Sequence, residues 1–84
     1  MNNLINRYQN GEQEVFGEIL KKYDNLLYKV INKYPTNVLY TKEDKHQMAL
    51  MSLVKAIDSF DTTKNIQFTT YLTRIVTNDM NTIF

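Results

Sequence analysis

Apolar residues recur at three-and-four spacing in three stretches of the chain, with polar punctuation between them. The first stretch holds Val15, Phe16, Ile19, Leu20, Tyr23, Leu26, Leu27, Val30, Ile31 and Tyr34, one helical face kept up for about five turns. Asn10 has N-cap chemistry, and Gln13 three residues later completes a capping-box pattern. Glu12, Glu14 and Glu18 come early and Lys29 and Lys33 late, as the helix dipole favours. The pattern predicts a helix over about Gly11 to Lys33, with Leu4, Ile5 and Tyr8 forming one or two turns ahead of it.

Pro35-Thr36-Asn37 reads as a turn. Thr41 can cap a second helix with Glu43 and Asp44 in its first turn. Met48, Met51 and Val54 mark one side of that helix and Leu50, Leu53, Ile57 and Phe60 the other, a stripe wide enough for a central helix covered on more than one side. It should end near Phe60. Asp61-Thr62-Thr63-Lys64-Asn65 is a short polar connection in which Asn65 suits a left-handed conformation. Phe68, Tyr71, Leu72, Ile75, Val76, Met80 and Ile83 then repeat at helical spacing, with Thr69 as the expected cap. Nothing alternates with strand period. The expected fold is all-α, a compact bundle of three or four helices forming one domain over residues 1–84.

Composition narrows the function. The chain lacks cysteine, which removes disulfides, thiol catalysis and Cys-based zinc sites and suits a reducing cytoplasm. Its one histidine, His46, leaves no multi-His metal site, and the expectation for it is an exposed, ordinary residue. The glycines, Gly11 and Gly17, form no phosphate-cradling pattern. No apolar run approaches the roughly 18–20 residues of a membrane span, and the first ten residues lack the order of a signal peptide. No acid–base pair or activated nucleophile is evident, so neither an enzyme nor a cofactor is expected. The net charge of +1 implies few phosphate contacts and a shallow salt dependence if the protein meets nucleic acid.

One feature asks for a functional reading. The outer face of the last helix is Thr70, Thr73, Arg74, Thr77, Asn78 and Asn81, side chains that reach phosphates and base edges but are mediocre helix formers. The plainer reading is that an AT-rich genome fills surface positions with Asn and Thr, and the ten Asn and nine Thr of the chain support it. Phe60, Phe68 and Tyr71 flank the connection that carries Asp61, Lys64 and Asn65. Rings beside a cation suit unstacked bases. Core packing explains Phe60 and Phe68 equally well, whereas the hydroxyl of Tyr71 near a helix start favours partial exposure.

The order of these residues resembles region 2 of bacterial sigma-70 family sigma factors. Asp44-Lys45-His46-Gln47 through Leu53-Val54-Lys55-Ala56-Ile57-Asp58-Ser59-Phe60-Asp61, then Lys64-Asn65-Ile66-Gln67-Phe68-Thr69-Thr70-Tyr71, follows that pattern without gaps. Asn10 to Tyr28 and the tail Tyr71 to Asn78 are similar to the small extracytoplasmic-function group. The resemblance implies that Asp44 and Gln47, with Leu50 and Val54 beside them, bind the β′ clamp of RNA polymerase core. It implies that Phe60, Asp61, Lys64, Thr70 and Tyr71 capture the non-template strand of the promoter minus-ten element. Arg74, Thr77, Asn78 and Asn81 would then meet its upstream part. Met48 stands where an acid is usual, and Arg74 and Ile75 replace paired tryptophans. Ser59, Gln67 and Thr77 occupy positions often basic. The family also carries a helix-turn-helix, region 4, that reads the minus-thirty-five element. Two readings fit the length here: a fragment, or a naturally short subunit working with a separate small protein that supplies region 4. The start at Met1 without tag residues favours the second. The alternative function is a sigma-like regulatory protein that binds polymerase or a sigma subunit without reading DNA.

Overall fold

Thr41 starts the central helix as its chemistry predicts. In the computed structural model, which describes residues 3–34 and 41–83, Thr41 is extended and its Oγ1 accepts from the Asp44 N–H at 3.2 Å. Asp44 Oδ2 accepts in return from the Thr41 N–H at 3.0 Å, closing a capping box. Four α-helices result: α1 (Asn3–Gln9), α2 (Phe16–Ile31), α3 (Lys42–Ser59) and α4 (Phe68–Ile83), and no strand occurs among the described residues. The bundle is all-α, as the periodicity implies. The turn expected at Pro35-Thr36-Asn37 lies outside the described residues.

The Asn10–Gly11 step ends a helix instead of starting one. Gly11 has φ +106°, its N–H bonds to the Tyr8 carbonyl at 3.0 Å, and the Glu12 N–H reaches back to the Arg7 carbonyl at 3.0 Å. That paired arrangement is the Schellman end of α1, with Gly11 in the left-handed position that only glycine fills without strain. A 3-10 turn at Gln13–Val15 follows, and α2 begins at Phe16 without a side-chain cap. The capping box expected at Asn10 and Gln13 is therefore not formed, and α2 is shorter than the apolar periodicity implies. The Arg7 guanidinium pairs with Glu12 at 2.9 Å across the same turn.

Two further corrections concern the entry to α4. The helix starts at Phe68 and the Gln67 carbonyl accepts from the Tyr71 N–H, so Thr69 lies inside the first turn and is not its cap. Asn65 is not left-handed, since among the described residues only Gly11 has positive φ.

No glycine stands at the ends of α2 and α3, and long side chains serve there. Lys45 is 2% exposed, and its Nζ donates to the carbonyls of Ile31 at 3.2 Å and Tyr34 at 2.7 Å, past the last turn of α2. Gln9 Nε2 donates to the carbonyls of Ile57 and Phe60, both at 2.8 Å, and closes the end of α3 from α1. Each satisfies acceptors that a helix end leaves without an internal partner.

α3 packs against α1, α2 and α4, as expected of a central helix. Its inner face is Ala49, Ser52, Leu53, Ala56 and Ile57. The small residues let the neighbouring backbones approach closely. α4 buries Phe68, Leu72, Val76 and Met80 against Ile19, Tyr23, Leu27 and the inner face of α3 in one continuous core. Each such side chain contributes about 1.5–3 kcal/mol from water exclusion. Met51 departs from the expected burial: it stands 73% exposed on the outer side of α3. His46 also departs, being half-buried. Its ring stacks on Tyr28 at 4.5 Å with planes 4° apart, and its Nε2 lies 2.9 Å from Asp24 Oδ1, tying α3 to α2.

Candidate nucleic-acid interface

The seam between α3 and α4 carries three polar ties on one face of α3, at positions 52, 55 and 59. Ser52 Oγ lies 2.6 Å from Asp79 Oδ2, and Lys55 Nζ lies 2.8 Å from Asp79 Oδ1. Partial burial pushes the Asp79 carboxyl up, but the hydrogen bonds from Lys55 and Ser52 and the Lys55 charge outweigh it and hold the group below its ordinary value. At the far end, Ser59 Oγ stands 2.7 Å from the Tyr71 hydroxyl. These ties fix the pitch of α4 against α3, and with it the place of the loop between them.

Four rings form a chain of contacts beside that loop. Tyr23 meets Phe68 edge-on at 5.1 Å, Phe68 meets Phe60 edge-on at 5.1 Å, and Phe60 meets Tyr71 at 5.3 Å with planes tilted 48°. Phe60 and Phe68 are core residues, 4% and 2% exposed, so the expectation of Phe60 as a direct stacking partner is corrected: its ring is the floor beneath Tyr71. Tyr71 is half-buried, with its hydroxyl at the surface. The reason is geometric. Phe60 follows the last residue of α3 and turns inward, whereas Tyr71 sits one turn into α4 on the edge of its apolar face.

Asp61 is engaged locally. Its Oδ1 accepts from the Thr63 N–H at 2.9 Å and from the Thr63 hydroxyl, which hold its carboxyl below the usual range. That is an Asx-turn shaping the loop. Lys64 is exposed on the other side of the loop, where it lines a cleft of about 490 Å³ with Lys22, Tyr23, Asn65, Ile66, Gln67, Phe68 and Thr69. Lys22 comes from α2, and only the folded chain brings it beside this loop; no local pattern in the sequence marks it.

Along α4, Thr70, Arg74 and Asn78 are exposed and share a shallow surface of about 440 Å³ with Thr69, Thr73 and Thr77. Thr77 is half-buried, and Asn81 is exposed but its Oδ1 accepts from the Tyr34 hydroxyl at 2.7 Å, so its acceptor is turned toward the end of α2. Thr73 Oγ1 bonds back to the Thr69 carbonyl at 2.9 Å, a habit of threonine inside helices.

The second expected site lies on α3. Asp44 and Gln47 are exposed on its first turns, Leu50 is half-buried against the core, and Val54 is half-buried and lines a groove with Met48, Met51, Lys55 and Asp58. Asp44 and Gln47 share one face, and Asp44 also serves its own helix as the capping carboxylate. Among the described residues no cluster of His, Asp or Glu could hold a metal ion, and no helix is long and apolar enough to cross a membrane.

Comparison with known proteins shows the family. The chain is similar to the RNA polymerase sigma-F factor of Bacillus subtilis, 29% identical over 77 residues that cover 92% of this chain. It is similar to the sigma-F factor of Priestia megaterium at 29% over the same length, and to the sigma-E factor of Clostridium acetobutylicum at 27%. The chain spans about 30% of the length of these relatives. Their names support the family and say nothing of the extracytoplasmic-function subgroup. No solved structure matches the chain. Residues 19–82, from the core of α2 to the end of α4, match Sigma-70 region 2, and the chain belongs to that family.

Proposed function

We propose that the protein is the region 2 module of a sigma factor and acts in transcription initiation by joining RNA polymerase core and opening the minus-ten promoter element. The observation that carries this reading is the half-buried Tyr71 ring packed on Phe60, one turn into the helix whose outer face exposes Thr70, Arg74 and Asn78. A flipped base of the non-template strand stacks on Tyr71, which offsets unstacking by about 1–3 kcal/mol. Lys64 takes a phosphate, and Arg74 with Asn78 meets the upstream base pairs. Asp61 shapes the loop. Asp44, Gln47 and Val54 dock on the β′ clamp from a different part of α3, with Leu50 supporting them from the core side.

A partner follows from charge. With a net charge of +1 and Arg74 as the cation on the α4 face, the module holds promoter DNA weakly by itself. We assign the missing affinity to polymerase core and to a separate subunit with the region 4 function, linked through core so that two weak contacts act together. Affinity capture of the protein from its source cell, followed by identification of the bound chains, tests this: core together with a helix-turn-helix protein supports it, and absence of core ends it.

The same scarcity of cations, with Asn81 engaged by Tyr34, favours a second reading: a regulator that keeps the polymerase contact and does not read DNA. Substitution of Tyr71 and Lys64 separates the two. Loss of promoter opening with core binding retained supports the first reading, and unchanged transcription supports the second.

A further inference from the structure

Ser59 is the last residue of α3, at the surface, and its Oγ has two partners: the Lys55 carbonyl at 2.8 Å and the Tyr71 hydroxyl at 2.7 Å. A hydroxyl carries one proton, and a carbonyl can only accept. The Ser59 proton therefore goes to Lys55, and the Tyr71 phenol must donate to Ser59 Oγ. The result is a directed relay from Tyr71 through Ser59 to the backbone of α3, in which each bond polarises the next. The Tyr71 ring is held at two points, its body by the tilted Phe60 ring and its tip by Ser59.

We propose that Ser59 is a positioning residue for base capture, which locks the Tyr71 ring into a ready-made stacking face before any strand arrives. This rests on the reading of Tyr71 as the base platform. A ring already fixed loses less freedom when a base stacks on it, so the tie raises affinity without touching DNA. It also explains why a small hydroxyl serves at position 59, where the family resemblance leads one to expect a basic side chain: serine is short enough to bond back to its own helix and accept the phenol at once.

The test is binding of a fluorescein-labelled, AT-rich single-stranded oligonucleotide of about 12 nucleotides to the complex of this protein with polymerase core, followed by anisotropy. Ser59→Ala and Tyr71→Phe should each weaken binding about threefold to tenfold, the worth of one such hydrogen bond. The double substitution should weaken it no further than either alone, and Ser59→Thr should restore it. Core binding of all variants should equal that of the parent. Unchanged affinity in Ser59→Ala, or additive losses in the double variant, overturns the proposal while a loss in Tyr71→Ala still upholds the platform. If Tyr71→Ala has no effect, platform and positioning fall together.

Discussion

The Gln9 side-chain amide lies 2.8 Å from the carbonyl of Phe60, joining α1 to the point where the chain leaves α3 for the loop before α4. A second bond of equal length reaches Ile57. These set the direction in which Phe60 turns inward, and so the height of the floor under Tyr71. Gln9→Ala removes both donors and should destabilise the domain by about 1–2 kcal/mol. In urea the unfolding midpoint should fall with the slope unchanged. An unchanged midpoint would mean that water replaces the amide at no cost.

Lys45 does the matching task for α2 from a buried position. Lys45→Ala removes the ammonium that donates to the Ile31 and Tyr34 carbonyls and empties the space of its stem, and it should cost about 1–3 kcal/mol. Lys45→Arg, with a bulkier head in the same space, should recover little of it. Thermal unfolding of the two variants beside the parent measures both effects.

The fold was legible in the sequence where burial dictates periodicity, and less so where backbone ends are satisfied at a distance. The apolar stripes of α2, α3 and α4 and the Thr41 cap follow from local spacing and local chemistry. The Asn10–Gly11 step misleads because asparagine before a first turn and asparagine before a left-handed glycine look alike; the glycine decides, since its positive φ closes the helix behind it. Lys45 and Gln9 carry no local signal, because each caps a helix other than its own. At the candidate site, the exposure of Tyr71 was readable from its hydroxyl. The burial of Phe60, the local engagement of Asp61 and the arrival of Lys22 depend on how α2, α3 and α4 pack.

Asp79 gives the domain an acid-sensitive seam. Its carboxyl titrates below the ordinary value in the folded chain, so ionised Asp79 contributes stability above about pH 4, and that contribution is lost as pH falls through the folded value. Asp79→Asn should flatten this acid limb of the stability profile, and Lys55→Met should flatten it in part. Denaturant midpoints between neutral and strongly acidic pH measure the slope. A limb equally steep in Asp79→Asn would place the acid sensitivity elsewhere.

Asp44 caps its own helix and is also the proposed clamp contact, and a substitution must separate the two. Asp44→Ala breaks the capping box as well as any clamp contact, so it should lower stability by about 0.5–1 kcal/mol and weaken polymerase binding together. Gln47 is exposed on the same face and outside the cap. Gln47→Ala should leave stability within about 0.5 kcal/mol and weaken binding to a β′ clamp fragment about threefold to tenfold. Calorimetric titration of the fragment into both variants, with their unfolding curves, divides cap from contact.

The central claim is that Tyr71 receives an unstacked promoter base while the Asp44–Gln47 face holds polymerase. Its most direct measurement is fluorescence of 2-aminopurine placed at successive positions of the non-template strand, in promoter complexes of core with the parent protein and with Tyr71→Ala. Emission should rise at one position with the parent protein, the rise should be lost in Tyr71→Ala, and both should bind core equally. The same rise at the same position in Tyr71→Ala would contradict the claim.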